Sequence, residues 1–232
     1  MKKYYRHELK YLVPIQRIEI IKNNLRHVMQ LDKHAPEGSY HIRSIYFDSK
    51  DFRAYQDVIG GHSVRCKHRV RFYNLDTSHM TLERKYKQNN MTLKTGNPIN
   101  EKELMQLFDG DTWKIEDNRS ILNELTTLIQ NERYFPACII DYERIPYVYA
   151  LGNVRVTIDY NISVVAVNKE NWNNDWGLNI PLLEKGYCIL EVKYDTILPD
   201  YIRQMLQLDT LMRTSYSKYA MGIERLKEFK IL

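Results

Sequence analysis

Charged and apolar residues alternate along several segments of the chain, with the period of two that is typical of β-strands. In the segment 64–73, one face is apolar except for His68, and the other carries a row of cations: Arg65, Lys67, Arg69 and Arg71. Like charges about 7 Å apart along a strand repel one another unless solvent screens them or an anion neutralises them. The pattern predicts a strand that packs on protein with one face and meets water or a polyanion with the other.

The same two-sided pattern occurs in four further segments, at residues 4–13, 81–87, 154–160 and 187–194. The charged residues singled out on these faces are Arg6, Glu8, Lys10, Glu83, Lys85, Arg155, Asp159, Glu191 and Lys193. Together with the basic row, Arg144 and Lys218, these residues carry more net positive charge than the +5 of the whole chain. The basic character is therefore concentrated on one set of strand faces. A solvated face of an ordinary antiparallel sheet remains the alternative for any one of these strands.

Other periodicities predict the remaining elements. Helical spacing or helix-start signals predict helices at residues 14–31, 50–58, 101–108, 119–131, 199–212 and 217–229. Further strands are predicted at 40–47, 137–145, 147–151 and 162–167, and loops at 89–98 and 168–181. Strands with polar faces turned inward must close on themselves, with amphipathic helices covering the apolar outer faces. We therefore predict a single α+β domain over residues 1–232, an antiparallel closed β-barrel with helices packed on the outside.

Composition is that of an ordinary soluble globular protein, with 44% hydrophobic and 27% charged residues in 232. Cys66, Cys138 and Cys188 lack the spacing of a metal site, so we expect buried, reduced thiols and a cytoplasmic location. The sequence shows neither a signal peptide nor an apolar run long enough to span a bilayer. Residues 215–218 match the SxxK pattern of penicillin-recognising serine enzymes, but the other motifs of that class are missing or out of order.

Several short motifs resemble, in their order along the chain, the VTC domain of polyphosphate polymerases, a branch of the triphosphate tunnel (CYTH-like) superfamily. The motifs are RHELKY at 6–11, SIYFD at 44–48, KHRVR at 67–71, LERK at 82–85, YER at 142–144, RVTID at 155–159, LEVK at 190–193 and SKY at 217–219. The resemblance covers nearly the whole chain. It implies an antiparallel tunnel barrel that binds a nucleoside triphosphate with a divalent metal, and VTC members make inorganic polyphosphate from ATP.

By position, the resemblance implies roles for individual residues. The catalytic phosphate ligands would be Lys10, Arg69, Arg71, Lys85, Arg144, Arg155 and Lys218. Further substrate contacts would come from Arg6, Arg65, Lys67, Lys193, Ser217 and Tyr219. Mn²⁺ or Mg²⁺ would be held chiefly by Glu191, with Glu83 and Glu8 as further metal ligands. Hydrolytic tunnel enzymes begin with an ExExK strand, whereas Arg6 stands at the first Glu position here, which weakens the case for a hydrolase.

The residue types suit phosphoryl transfer independently of the resemblance. Such transfer needs charge neutralisation, in-line positioning and usually a divalent metal, with little covalent help from the protein. Arginine offers planar forks for phosphate oxygens and lysine offers point charges. A single carboxylate is enough to hold a hard cation that keeps water and substrate phosphates in its shell.

Four functions stay open at this stage. The favoured one is a metal-dependent phosphotransferase that forms inorganic polyphosphate from ATP inside a basic tunnel. A tunnel triphosphatase and a non-catalytic polyanion-binding module are the alternatives. Nucleic-acid binding is disfavoured, because the tyrosines fall mostly on apolar faces rather than beside the cations. The phosphate acceptor, the nucleotide, the oligomeric state and a membrane partner protein are left undetermined by the sequence.

Overall fold

The computed structural model of the chain describes residues 5–89, 91–111, 118–175 and 177–232. Its strands are β1 (Arg6–Pro14), β2 (Gln30–Leu31), β3 (Tyr40–Asp48), β4 (Val64–Tyr73), β5 (Asp76–Gln88), β6 (Met91–Ile99), β7 (Phe135–Tyr149), β8 (Val154–Val165), β9 (Ile180–Pro181) and β10 (Tyr187–Tyr194). Its helices are α1 (Ile15–Arg26), α2 (Arg53–Ile59), α3 (Glu101–Asp109), α4 (Ser120–Glu132), α5 (Asp200–Met205) and α6 (Lys218–Glu228).

Eight of the strands in the described part of the chain close into an antiparallel barrel, in the order β7-β3-β4-β5-β6-β1-β10-β8 and back to β7. The β7–β8 pairing is long, whereas β6 and β1 are joined only at Arg6–Thr92 and His7–Met91. The short strands β2 and β9 extend the sheet beside β7 and β8. The predicted fold class, a closed antiparallel barrel with helices on the outside, is confirmed.

Apolar faces of helices α1, α3, α4 and α5 cover the outside of the barrel. Helices α1 and α5 bury Ile18, Ile21 and Ile202 against outward residues of β1, β8 and β10. Helices α3 and α4 bury Leu104 and Leu125 against outward residues of β3, β4 and β5. The α3 helix begins with a capping box, in which Asn100 and Glu103 satisfy each other's backbone N–H groups. This cover leaves the charged strand faces to line the interior.

Helix α6 packs against the inner face of the sheet at one side of the barrel. Ile140 is paired across the sheet with Ser44, and Ser44 in turn with Arg71, so all three side chains share the inner face. A Cβ atom on Gly222 of α6 would lie 2.6 Å from Ile140 Cδ1 and 3.1 Å from Val164 Cγ2. The absence of a side chain at Gly222 therefore lets α6 approach the strands closely and fill part of the interior.

A bulge changes the inner-facing positions along β8. The β7–β8 register shifts between Asp141 and Glu143, and Asn161 has a φ of 51°. Such an extra residue reverses which side chains face inward. Before it, charged side chains such as Asp159 face the interior, and after it Val164 does. The interior is consequently charged along one stretch and apolar where α6 packs.

Several sequence predictions of local structure need correction. The predicted loop at 89–98 is mostly the strand β6, and the predicted strand pairs at 137–151 and 154–167 are the continuous strands β7 and β8. Helix α1 ends at Arg26 and α5 at Met205, both earlier than predicted. The three cysteines have free thiols, as expected, with Cys66 half-buried and the other two buried. None of the helices in the described ranges has the length and apolar character needed to cross a membrane.

Candidate functional site

A cavity opens into the barrel interior between the strands and the segment that leads into α6. In the part of the chain that the structure describes, its basic lining residues are Lys10, Arg65, Lys67, Arg69, Arg71, Lys85, Lys87, Arg144, Lys193 and Lys218. Its acidic lining residues, within the same ranges, are Glu8 and Glu191. The charged strand faces therefore converge on one site, where positive charge is in large excess.

Arg69 and Arg71 of the basic strand are held in place by side chains of β3, β5 and β7. The Arg69 Nε and Nη2 atoms donate to Glu83 Oε2 at 2.9 Å and 2.7 Å. Arg71 donates from Nη2 to the Tyr142 hydroxyl at 3.0 Å and from Nε to Ser44 Oγ at 3.3 Å. These contacts fix both guanidinium planes before any anion binds.

Arg144, on β7, is fixed in a similar way. Its Nε and Nη2 atoms donate to the two oxygens of Asp159 at 2.6 Å and 2.8 Å, the bidentate geometry of a strong ion pair. Lys218, the first residue of α6, donates to Asp159 Oδ2 at 2.6 Å. Burial raises the pKa of Asp159, but Arg144 and Lys218 outweigh it and hold that pKa below its usual value. Asp159 therefore stays ionised and ties α6 to β7 and β8.

Glu8 and Glu191 both contact the ammonium group of Lys10, at 3.1 Å and 3.9 Å. Glu8 also accepts from Lys85 at 2.9 Å, and Glu191 lies 3.2 Å from Lys193 Nζ. Burial raises the pKa of Glu8, but Lys85 and Lys10 lower it well below the usual value. For Lys10, burial lowers the pKa and the two carboxylates raise it above the usual value. Glu8 and Lys10 are therefore ionised near neutral pH, whereas at Lys193 burial outweighs the two carboxylates and lowers the pKa to about 8.

Some cations at the site have no such compensation. Within the described ranges, no carboxylate lies within 4 Å of a charged nitrogen of Arg65, Lys67 or Lys87. Lys67 Nζ instead donates to Ser217 Oγ at 2.7 Å and lies 5.7 Å from the centre of the Tyr219 ring. Burial, and after it the charges of Lys85 and Lys10, lower the pKa of Lys67 well below its usual value. An anion bound here would replace repulsion with attraction.

The segment before α6 forms one wall of the cavity. Ser217 is the N-cap of α6 and accepts from the Ala220 backbone N–H at 3.2 Å. Lys10 donates to the Tyr216 backbone carbonyl at 2.9 Å. The Tyr219 ring stacks on Tyr46, and its hydroxyl donates to the buried Asp48 carboxylate. These contacts hold Ser217 and Lys218 against the row of cations on β4.

The structure brings together most, but not all, of the residues singled out from the sequence. Arg6 forms an ion pair with Asp195 and does not line the cavity. Arg155 likewise lies outside the lining and contacts Asp32 at 2.9 Å. Glu83 stands behind the wall, where it contacts Arg69, Arg71 and Lys94. The other predicted site residues line the cavity, with Tyr219 contributing its ring.

Sequence reasoning missed several lining residues: Tyr46, Lys87, Tyr142, Ser215 and Tyr216. Lys87 could have been found, because it follows Glu83 and Lys85 at the same spacing of two along β5. The tyrosines could not, because their ring-and-hydroxyl character suits the core as well as a polar site. Two cations of the site act on Tyr142. Burial raises the pKa of its hydroxyl, but Arg71 and Arg144 outweigh burial and lower that pKa.

A metal ion has one suitable place in the cavity, judged from the described residues. Glu8 and Glu191 offer hard carboxylate oxygens within 4 Å of Lys10 Nζ, whereas Glu83 does not join them in a three-ligand cluster. Hard oxygen ligands are those that Mg²⁺ and Mn²⁺ prefer. A separate trio under α4, formed by Cys66, His68 and Glu124, is already contacted by the Arg84 guanidinium at 3.4 Å and 3.1 Å.

Comparison with known proteins identifies related sequences and folds. The family model described as the VTC domain matches residues 5–227. No curated protein sequence matches the chain. Among solved structures, a protein from Bacillus halodurans, provisionally named an adenylate cyclase, is 15% identical with a TM-score of 0.50, covering 100% of this chain and 93% of its own.

A protein from Hippeastrum has the same TM-score of 0.50 at 12% identity, covering 97% of this chain and 96% of its own. It is provisionally named an adenylyl cyclase and described as having a dominant triphosphatase activity. A third protein, from Vibrio parahaemolyticus and also provisionally named an adenylate cyclase, is 11% identical with a TM-score of 0.50, covering 95% of this chain and 98% of its own. At such identities the likeness establishes the fold alone.

The contrast between Lys67 and Lys10 gives a prediction about stability. We expect Lys67→Met to raise the melting temperature of the ligand-free protein, because it removes a buried amine that must either give up its proton or carry a charge that no carboxylate compensates in the described structure. Each kcal/mol corresponds to about 2–4 °C for a protein of this size. The same variant should show a smaller thermal shift with tripolyphosphate, since it loses a phosphate contact.

Lys10→Met is the matched control, because Lys10 lies between two carboxylates. We expect this variant to melt at a lower temperature than the wild type, as removal of one partner from a buried ion pair leaves charge uncompensated. Differential scanning calorimetry with and without tripolyphosphate measures both effects. Equal destabilisation by the two substitutions would contradict the assignment of Lys67 as an uncompensated cation.

Proposed function

The chain belongs to the VTC domain family, and we propose that it is a metal-dependent phosphotransferase that forms inorganic polyphosphate from ATP in its central cavity. The observation that supports this proposal is the excess of basic over acidic side chains around one cavity of the barrel. A site of this kind is costly to maintain without a ligand, because buried like charges repel. A chain of phosphates supplies closely spaced negative charges that match the rows of cations.

The fixed orientation of three arginines supports a role in catalysis beyond electrostatic attraction. Arg69, Arg71 and Arg144 are each oriented by a carboxylate or by hydroxyl groups before substrate arrives. Oriented charges that need no rearrangement stabilise the charge that develops on the transferred phosphoryl group. Lys85 and Lys218 add point charges on neighbouring walls of the cavity. Together these side chains would hold the donor and the acceptor phosphate in line.

Glu8 and Glu191 are the residues that fit a divalent metal. When bound there, Mn²⁺ or Mg²⁺ would neutralise phosphate oxygens and favour departure of the nucleoside diphosphate. In a site that otherwise gathers cations, carboxylates add nothing to phosphate binding on their own. Besides neutralising Lys10, they offer the hard oxygen atoms that would hold a divalent metal near the bound phosphates.

Transfer to phosphate, rather than to water, is supported by the position of Arg6. A third carboxylate at that point of β1 would add a ligand for a metal that activates water, but the chain carries arginine. Its guanidinium is paired with Asp195, outside the cavity lining. A triphosphatase is the second candidate, because the same cations and carboxylates would serve attack by water and because the Hippeastrum neighbour is described with that activity.

The products formed from ATP test the proposal directly. We expect purified protein incubated with ATP and Mn²⁺ to form long-chain polyphosphate, visible on gels as a ladder, with ADP released in excess of free phosphate. Arg71→Gln should reduce this rate about 10-fold or more, because it removes a charged phosphate contact. Arg53→Gln, which changes an exposed ion pair with Glu132, is the control and should behave as the wild type.

Other product patterns would point elsewhere. Equal amounts of ADP and free phosphate, with no polymer, would identify a triphosphatase. Binding of tripolyphosphate without any ATP consumption would identify a binding module. Either pattern would overturn the polymerase assignment.

Glu191→Gln tests the proposed metal site. We expect this variant to lose metal-dependent ATP consumption while its metal-free affinity for tripolyphosphate is kept or slightly increased. The reason is electrostatic: Glu191 neutralises Lys193 and lies 3.4 Å from Arg144, so removal of its charge leaves the cavity more positive. Calorimetric titration with and without Mn²⁺, beside the rate of ADP release, measures both effects.

The control for this variant is Glu184→Gln, at an exposed position before β10. It removes the same charge from the chain without touching the cavity, and should change neither affinity nor rate. Normal ATP consumption by Glu191→Gln would show that Glu191 does not hold the metal.

A further inference from the structure

Ser217 and Lys67 form a close pair inside the cavity. Lys67 Nζ lies 2.7 Å from Ser217 Oγ, and both side chains belong to the cavity lining. The SxxK pattern at 215–218 would pair Ser215 with Lys218, but Lys218 is bound to Asp159 at 2.6 Å. The lysine that contacts a cavity serine is thus Lys67 from β4, a long way off in sequence.

Lys67 differs from its neighbours in its surroundings. Lys10, Lys85, Lys193 and Lys218 each contact a carboxylate within 4 Å, whereas Lys67 has no such partner in the described ranges. Its side chain is buried and other cations surround it, and both the burial and the neighbouring charges favour the neutral amine. A neutral amine at hydrogen-bond distance from a hydroxyl can accept its proton, whereas an arginine cannot.

We propose that Ser217 is itself phosphorylated by the bound nucleoside triphosphate, with Lys67 as the group that accepts the hydroxyl proton. This step rests on the proposed function, because it uses the same donor in the same cavity. It adds an activity: the protein becomes its own phosphate acceptor. A phosphoserine at this position would stand where a second donor could extend it, which would provide a protein-linked start for a phosphate chain.

The bonds balance without any further reactant. A bond forms between Ser217 Oγ and the γ-phosphorus, and the bond from that phosphorus to the β,γ-bridging oxygen breaks. The nucleoside diphosphate leaves with the electron pair of the broken bond. The hydroxyl proton passes to Lys67 Nζ, which becomes an ammonium ion beside the new phosphate.

The surroundings of Ser217 favour the charged product. Ser217 caps α6, so the new phosphate would lie at the positive end of an eleven-residue helix. The protonated Lys67 would contact it directly, and the positive charge of Lys10 is fixed beside Tyr216 by a 2.9 Å hydrogen bond to the backbone. The uncompensated positive charge of this wall is thereby neutralised by the modification.

The test is a time course of the full chain with ATP and Mn²⁺, quenched in acid and mapped by peptide mass spectrometry. We expect one phosphoryl group on Ser217, stable in acid as a phosphoserine is. Ser217→Asn should abolish this phosphorylation. Asparagine also caps helices well, so we expect the variant to keep the fold. A melting curve of Ser217→Asn close to that of the wild type verifies this.

Lys67→Arg separates proton acceptance from charge. We expect it to bind tripolyphosphate at least as tightly as the wild type, because arginine is always charged, but to label Ser217 at least about 100-fold more slowly, as loss of a general base requires. A merely structural role for Lys67 predicts equal labelling rates in this variant. Equal rates would overturn the assignment of Lys67.

Products measured in the same reactions distinguish this inference from the proposed function. Polymer formation with no phosphate on Ser217 at any time point would overturn the inference and leave the polymerase intact. Phosphoserine formation without polymer would support the inference and overturn the polymerase. If the wild type consumes no ATP at all, both fail.

Discussion

Repulsion among buried cations is the constraint that the interior of this barrel must satisfy. In the described structure, carboxylates on the same strand faces offset this repulsion: Glu8, Glu83, Asp159 and Glu191. Each of them contacts at least two cations, and the pKa of each is lowered although burial acts to raise it. The barrel therefore folds around a network of ion pairs in which the positive partners outnumber the negative ones.

This incomplete balance divides the cations into two groups. Arg69, Arg71 and Arg144 are locked by partners, so their guanidinium planes are set in advance. Arg65, Lys67 and Lys87 have no carboxylate within 4 Å in the ranges that the structure describes, and they line the same cavity. The first group supplies orientation and the second supplies unbalanced charge that an anion relieves. Rigid positioning and strong attraction thus come from different residues, which suits a site that binds a polyanion.

The alternation of charged and apolar residues was enough to predict the barrel and most of its lining. The strand at 187–194 was predicted with its observed bounds, because its alternation is regular and its neighbours are turn residues. Strand β6 was missed because Gly96 and Pro98 are typical of loops. Its pairing with β1 covers only Arg6–Thr92 and His7–Met91, so Pro98 lies where no hydrogen bond to β1 is needed.

Other features depend on tertiary contacts that no local pattern contains. The Asn161 bulge turns an apolar stretch of β8 inward. This stretch packs against α6, which approaches closely because Gly222 has no side chain. Arg6 contacts Asp195 and Arg155 contacts Asp32, so neither arginine lines the cavity. Both partners are distant in sequence. The contact between Lys67 and Ser217 joins residues from β4 and the start of α6, which spacing along the chain could not bring together.

The most direct test of the account is a crystal structure of the protein with Mn²⁺ and a non-hydrolysable ATP analogue, with manganese located by its anomalous scattering. The account predicts manganese bound by Glu8 and Glu191, and the triphosphate inside the barrel against Arg69, Arg71 and Arg144. A triphosphate bound on an outer surface, or manganese bound away from both carboxylates, would contradict it.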